Sequence, residues 1–296
     1  MGKPNNTRAK RTGIAAVIGA SLMWAIEPSL IKLAFDGSSV VQTAAVRATV
    51  VAMVALLYVV ITGSSLKISR RHLSKIAFIA LAGTVIADLL YIWALSMVPV
   101  INAVLIGHMQ PVFIVLAGFL VLKEDRLVRS DLVGIPILII AGLLVSTRTP
   151  GNLVALKLGA FGDLIVLGAT FAWAVTGIVA RKYLREVNTG VLTFYRFAFA
   201  SVALVSVNFT VSPGFSFNIY HVFVGIVVGA GYILYYEGLK RAKAAQVAAT
   251  ELSTPFFAAL LGFLILGEIV TIMQGFGIAA LFAGVYFLSR KEEVPF

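Results

Sequence analysis

The chain repeats itself. Placing Trp24 over Trp173 also places Gly19 over Gly168, Lys32 over Arg181 and Arg47 over Arg196, all at one offset of 149 residues. Further along, PVFIVLAGFLVLKE (111–124) lies over PFFAALLGFLILGE (255–268) at an offset of 144, with eight of fourteen positions identical. Internal duplication over this length sets the architecture before any local detail does. Because each copy is a set of strongly apolar spans, the expectation is two similar halves packed about a central path.

Of the 296 residues, 60% are hydrophobic and 12% charged, which is the balance of an integral membrane protein. Crossing about 30 Å of hydrocarbon takes roughly 17–25 apolar residues per helix. Ten stretches qualify: 13–35, 43–62, 74–96, 100–121, 131–147, 159–181, 190–211, 220–239, 243–266 and 270–289. The predicted fold is therefore all-α, with ten transmembrane helices. Five spans per copy is an odd number, so the second copy enters the membrane from the opposite face and the repeats are inverted. The first repeat is expected to run over 1–146, a linker over 147–158 and the second repeat over 159–296. Pro150, Gly151 and Asn152 mark the turn in that linker.

With both termini in the cytoplasm, nineteen of the 24 Lys and Arg residues fall in inner segments, three outside and two, Arg47 and Arg196, within spans. The positive-inside rule favours that orientation. It also explains the net charge of +11 without nucleic acid, because basic loops lie well beside anionic lipid. The first ten residues are polar and the first apolar stretch is long enough to remain as a span, so no cleaved signal is expected. There is no cysteine, which removes disulfides, thiolate metal sites and a cysteine nucleophile together. No HExxH, GxSxG or P-loop pattern is present, so an enzyme is disfavoured and neither a cofactor nor a metal is expected.

The repeated details resemble the EamA branch of the drug/metabolite transporter superfamily. They are a Trp in the first span of each half (WAIEP, 24–28; WAVTG, 173–177), an Arg early in the second (AAVRATVVA, 44–52; TFYRFAFAS, 193–201), the run LLYIWALSMVPVINAVLIGHMQP (89–111) over ILYYEGLKRAKAAQVAATELSTP (233–255), and the two segments from Pro111 to Glu124 and from Pro255 to Glu268. The resemblance covers nearly the whole chain. It implies a ten-helix carrier in the plasma membrane, usually an exporter of amino acids or other small metabolites, and it implies no particular substrate. One departure stands out: after the first-span Trp, where the family tends to carry small or neutral polar residues, this chain has Glu27 followed by Pro28, with Thr176 in the matching place of the second half.

Ionisable groups in hydrocarbon are costly and point to a pathway. Glu27, Asp88 and His108 all fall within about a turn of the bilayer midplane at a rise of 1.5 Å per residue. Asp88, Tyr91 and Leu95 share a helical face, as do Trp24, Glu27 and Ile31. Asp88 and Glu27 are thus expected to bind either a proton or the amino group of a substrate, with Trp24, Tyr91, Trp173, Thr176, Tyr232 and Tyr235 lining the cavity. Their alternative is structural pairing with Arg47, His108 or a helix end. His108 could relay protons or simply join helices. Glu251 serves either the inward-facing state or the anchoring of a helix beside Pro255. Arg47 and Arg196 read as snorkelling or helix-bridging groups, and Glu124 and Glu268 as holders of loops or helix ends. Lys32 and Arg181 look like interfacial anchors. Gly225 and Gly229 form a GxxxG pair suited to close helix approach.

The expected function is secondary active export of a small amino-acid-like or cationic metabolite by proton antiport or exchange. The alternatives are an uncoupled facilitator and a non-transporting protein on the same fold. The partners would be the small molecule, protons where flux is coupled, and the lipid bilayer. A monomer would suffice, and a dimer is compatible.

Overall fold

The computed structural model describes residues 6–117, 129–155, 159–184, 186–211, 216, 218–241, 250–251 and 253–289. Among them every regular element is helical. In hydrocarbon this follows from the backbone, because a helix satisfies its own N–H and C=O groups where no water can. The first half holds α1 (Asn6–Ala34), α2 (Val40–Ile61), α3 (Arg70–Ile79), a π-helical stretch (Ala80–Asp88), α4 (Leu89–Leu95), α5 (Val100–Gly107), α6 (Gln110–Ala117) and α7 (Arg129–Thr147). After the short α8 (Pro150–Val154) come α9 (Phe161–Tyr183), α10 (Thr189–Val211), α11 (Ile219–Arg241), α12 (Ser253–Leu266) and α13 (Ile272–Ser289).

Among the described residues, six segments are long and apolar enough to cross a membrane: Arg11–Ala34, Val40–Ile61, Arg70–Leu95, Phe161–Ala180, Thr189–Val211 and Ile219–Gly238. Four shorter apolar helices, Val100–Ile114, Leu132–Thr147, Ser253–Leu266 and Ile272–Phe287, fall within the fourth, fifth, ninth and tenth apolar stretches of the sequence. Large apolar side chains such as Met53, Leu57, Phe263 and Leu264 remain exposed on these helices, as lipid contact requires.

Two spans depart from the continuous helices expected. The third is α-helical at both ends but π-helical from Ala80 to Asp88, so its backbone is widened immediately before the acid. Wide turns of this kind concentrate at functional sites. The fourth breaks at His108 and Met109, between α5 and α6. Pro111 follows at once, and a residue that cannot donate a backbone hydrogen bond does not continue the preceding helix. Pro28 in α1 acts more locally. It removes the N–H that would have bonded the Trp24 carbonyl, one residue after Glu27, while the helix runs on to Ala34.

The halves interlock. α1 packs on α11 and α12, α2 on α10 and α11, α7 on α13, and the third segment of the first half on α9. Gly225 and Gly229 make the α2–α11 contact possible: a Cβ at Gly225 would overlap Val50, and one at Gly229 would come within 2.9 Å of Val54. The main apolar core joins the two halves through Ala48, Ala87, Ile92, Phe197, Ala200 and Val228 among others.

The helix ends are fastened across the repeat boundary. Lys32 at the end of α1 pairs with Glu268 at 2.9 Å. The same carboxylate accepts the Val100 N–H at 2.8 and 3.1 Å, satisfying the open first turn of α5 with the charge that a helix N-terminus favours. A second polar lock lies in α5, where Asn102 donates to Asp163 at 2.9 Å and accepts from Gln274 at 2.7 Å.

Candidate functional site

The charged centre is built on three helices of the first half. Glu27 lies on α1, Arg47 on α2 and Asp88 at the end of the π-helical stretch, with only 7%, 4% and 2% of their surfaces exposed. Arg47 holds both acids. Its Nε donates to Glu27 Oε1 at 2.8 Å, Nη2 reaches the same oxygen at 2.7 Å, and Nη1 donates to Asp88 Oδ2 at 2.6 Å. Arginine suits this place because its planar fork carries several donors and stays charged when buried. An isolated carboxylate at this depth would be costly, and a shared guanidinium offsets that cost for both.

The second half supplies the next contacts. Trp173 Nε1 donates to the remaining Asp88 oxygen, Oδ1, at 2.8 Å and lies 3.2 Å from the Gly83 carbonyl. Its ring packs against Tyr91 with centroids 5.1 Å apart. Thr176, buried one turn on, donates to the Trp173 carbonyl at 2.9 Å. Gly83 suits this arrangement, since a Cβ there would lie 3.1 Å from Thr176 and 3.2 Å from Arg196 Nη2, a tight fit.

Arg196 occupies a different setting. It is 7% exposed, its Nε donates to Thr84 Oγ1 at 2.8 Å, and its guanidinium carbon lies 5.2 Å from the Phe197 ring and 5.0 Å from that of Tyr232. No carboxylate among the described residues lies within salt-bridge distance of it. Tyr232 meets Trp24 edge to face at 6.0 Å and Tyr236 in a stack at 6.1 Å, and Tyr235 meets Trp24 at 5.0 Å. These four rings are half-buried.

The structure thus brings together Glu27, Asp88, Arg47, Tyr91, Trp173 and Thr176, with Arg196, Trp24, Tyr232 and Tyr235 in a neighbouring group. Arg47 and Arg196 are both enclosed and bridge helices; neither snorkels to an interface. His108 stands apart from the acids: its Nδ1–H donates to the Val104 carbonyl of its own helix at 2.7 Å, closing α5. Glu251 is half-buried and has no hydrogen-bond or ion-pair partner among the described residues. Pro255 is buried in the first turn of α12, and Glu268 holds the start of α5. Glu124 and the side chains of Pro111 and Arg181 lie outside the described residues.

Four participants were not visible in the sequence. Gly83 and Thr84 belong to the π-helical stretch, and no local signal marks that geometry. Phe197 and Tyr236 directly follow Arg196 and Tyr235, so adjacency was the available clue.

Two surface cavities lie at opposite ends of α2. One of about 440 Å³ is lined by Lys32, Phe35, Ser38, Val40, Leu95 and Ser96. It sits about two helical turns from Arg47 and Asp88, counting back from Val40 and Leu95 at 1.5 Å per residue. The other, about 260 Å³, involves Ser65, Lys67, His72, Glu186, Asn188 and Val191. Val191 stands about a turn and a half from Arg196 along α10.

Comparison with known proteins gives a consistent picture. The sequence model of the EamA-like transporter family matches residues 11–148 and again 160–290. An uncharacterized transporter of Methanothermobacter thermautotrophicus is 25% identical over 76% of this chain and 67% of its own length. The protein RarD of Salmonella typhi is 28% identical over 68% of this chain and 67% of its own. These matches span about two thirds of each relative, whereas the uncharacterized transporter YyaM of Bacillus subtilis matches at 24% identity over 94% of both chains. One solved crystal structure superposes with a TM-score of 0.66 over 96% of each chain at 19% identity, a likeness of fold.

Proposed function

Because this chain belongs to the EamA-like transporter family of the drug/metabolite transporter superfamily, we propose that it is a secondary active transporter exporting a small amino-acid-like metabolite, coupled to protons through Glu27, Arg47 and Asp88. The observation that carries the coupling is the sharing of one buried guanidinium by two carboxylates, one of which is also held by Trp173 from the other half. Protonating either acid removes an ionic partner of Arg47 while leaving a neutral group that tolerates burial. A proton taken up on Asp88 also weakens its bond from Trp173 and so loosens the contact between halves, and its release restores it. That is the event a coupled carrier needs.

The movement proposed is alternating access between two inverted five-helix repeats in a ten-span chain. Its support is reciprocal packing. Under the repeat offsets Tyr91 corresponds to Tyr235 and Trp173 to Trp24, and the pair Tyr91–Trp173 (5.1 Å, 54°) is matched by Tyr235–Trp24 (5.0 Å, 52°). Likewise α1 against α11 is matched by α9 against the third segment. The cation distribution supports cytoplasmic termini, the family resemblance supports a plasma membrane, and two five-helix halves would suffice to form a path within one chain. Both acids are already engaged by Arg47, so they are assigned to coupling in preference to holding a cationic substrate.

A second reading follows from that same engagement. If Arg47 holds the acids permanently as a helix bridge, the protein is an uncoupled exchanger. Proteoliposomes separate the two: Asp88→Asn should retain counterflow of labelled substrate and lose transport driven by a pH gradient. Counterflow with no gradient-driven transport in the wild type would leave the exchanger reading standing, and unchanged gradient-driven transport in the variant would take the coupling away from Asp88.

A further inference from the structure

The two halves carry the same guanidinium but not the same acids. At the offset of 149, Arg47 corresponds to Arg196 and Glu27 to Thr176; at the offset of 144, Asp88 corresponds to Tyr232. In the first half Arg47 is satisfied by Glu27 and Asp88. In the second, the matching positions are neutral, and Arg196 meets the hydroxyls of Thr84 and Tyr236 and aromatic faces, with no carboxylate in salt-bridge distance among the described residues. A buried guanidinium stays charged and is costly without an anion.

The indoles differ in the same way. Trp173 gives its N–H to Asp88, whereas Trp24, its repeat mate, donates to no described residue. Trp24 and Arg196 both lie against the Tyr232 ring, at 6.0 and 5.0 Å. The second half thus holds both donors that bind a carboxylate in the first half, without the carboxylate.

We propose that Arg196 and Trp24 form the binding site for the carboxylate of the transported molecule, an organic acid or zwitterion whose apolar body lies against Tyr232, Tyr235 and Tyr236. The substrate supplies in the second half what Asp88 supplies in the first. A planar monoanion fits this pair as Asp88 fits Arg47 and Trp173. A dianionic phosphate fits less well, because Asp88 and Glu27 already place negative charge in the adjoining cluster. Glu27 and Asp88 are both engaged by Arg47, which leaves neither to hold a cationic amine. The assignment rests on the transporter reading for its purpose, though binding can be measured without transport.

The test uses the purified full chain with three probes of one skeleton: 3-phenylpropionate, 3-phenylpropionamide and phenethylamine. Thermal shift and equilibrium dialysis are expected to detect the acid alone. Arg196→Gln should abolish its binding, and Trp24→Phe, which keeps the ring and removes the N–H, should weaken it about ten- to a hundredfold, the loss of one hydrogen bond to a charged group. Tyr232→Asp guards against misfolding. It restores the first-half arrangement, so the protein should be as stable as wild type yet lose the acid. Preference for the amine, binding of acid and amide alike, no binding of the acid at millimolar concentration, or undiminished acid binding in Tyr232→Asp would each overturn the proposal. Arg196-dependent binding without counterflow in proteoliposomes would uphold this site and refute the transport reading instead.

Discussion

At the scale of single residues, the central group is one arginine serving two acids, so its members are unequal in consequence. Arg47→Gln leaves two buried carboxylates without a cation and is expected to destabilise the fold by about 3–5 kcal/mol, read as a lowered melting temperature in detergent. Arg47→Lys should recover only part of this, because a single ammonium does not reproduce a fork that reaches Glu27 through Nε and Nη2 and Asp88 through Nη1. Glu268→Gln separates two roles of another side chain. It can still accept from the Val100 N–H but loses its charge toward Lys32. A loss of about 1 kcal/mol or less is expected, since that ion pair is partly exposed. The sequence made Glu27, Asp88 and Arg47 stand out, because charge in an apolar span is conspicuous whatever surrounds it. Pairing with Arg47 was one of the alternatives it offered, but that one arginine holds both acids at once was not legible. It depends on which faces of three separate helices meet, and spacing along one helix says nothing of that. His108 illustrates the converse: its depth in the span suggested a role beside the acids, while the break before Pro111 turns it to its own helix end.

At the scale of elements, the apolar stretches were readable because length and hydropathy alone decide them. The π-helical stretch was not, since Ala80–Asp88 is composed much like its α-helical neighbours. Its consequence is testable. Deleting one residue within 81–86 should restore an α-helical repeat and remove the wide turn that presents the Gly83 carbonyl to Trp173 and the Thr84 hydroxyl to Arg196. Transport should fall to background while membrane insertion persists; retained transport would mean that the wide turn is incidental. The GxxxG pair was legible in advance, but its partner was not. Val50 and Val54 on α2 now identify it. Gly229→Val should cost about 1–3 kcal/mol through overpacking, and Val54→Ala in the same chain should recover part of the loss in a thermal unfolding assay.

At the scale of the whole molecule, the duplication carried the most information, since matched residues imply matched contacts. The two Trp–Tyr pairs of nearly equal geometry follow from it. The differences between halves are as informative as the likeness: an acid pair holds the arginine of one and neutral partners that of the other, and the proposed division of proton coupling from substrate recognition rests on that contrast. Which of the two was which could not be seen until the helices were placed together. The exchange of halves predicts that the cavities at opposite ends of α2 open in turn. The absence of cysteine makes this directly measurable. Ser38→Cys and Ser65→Cys place single thiols in the two cavities, and their rates of maleimide labelling can be followed in proteoliposomes while the pH gradient is imposed and reversed. Reversal should raise labelling at one position and lower it at the other, with both responses lost in Asp88→Asn. Rates that rise and fall together, or reciprocal changes that survive Asp88→Asn, would contradict alternating access driven by protons at this cluster.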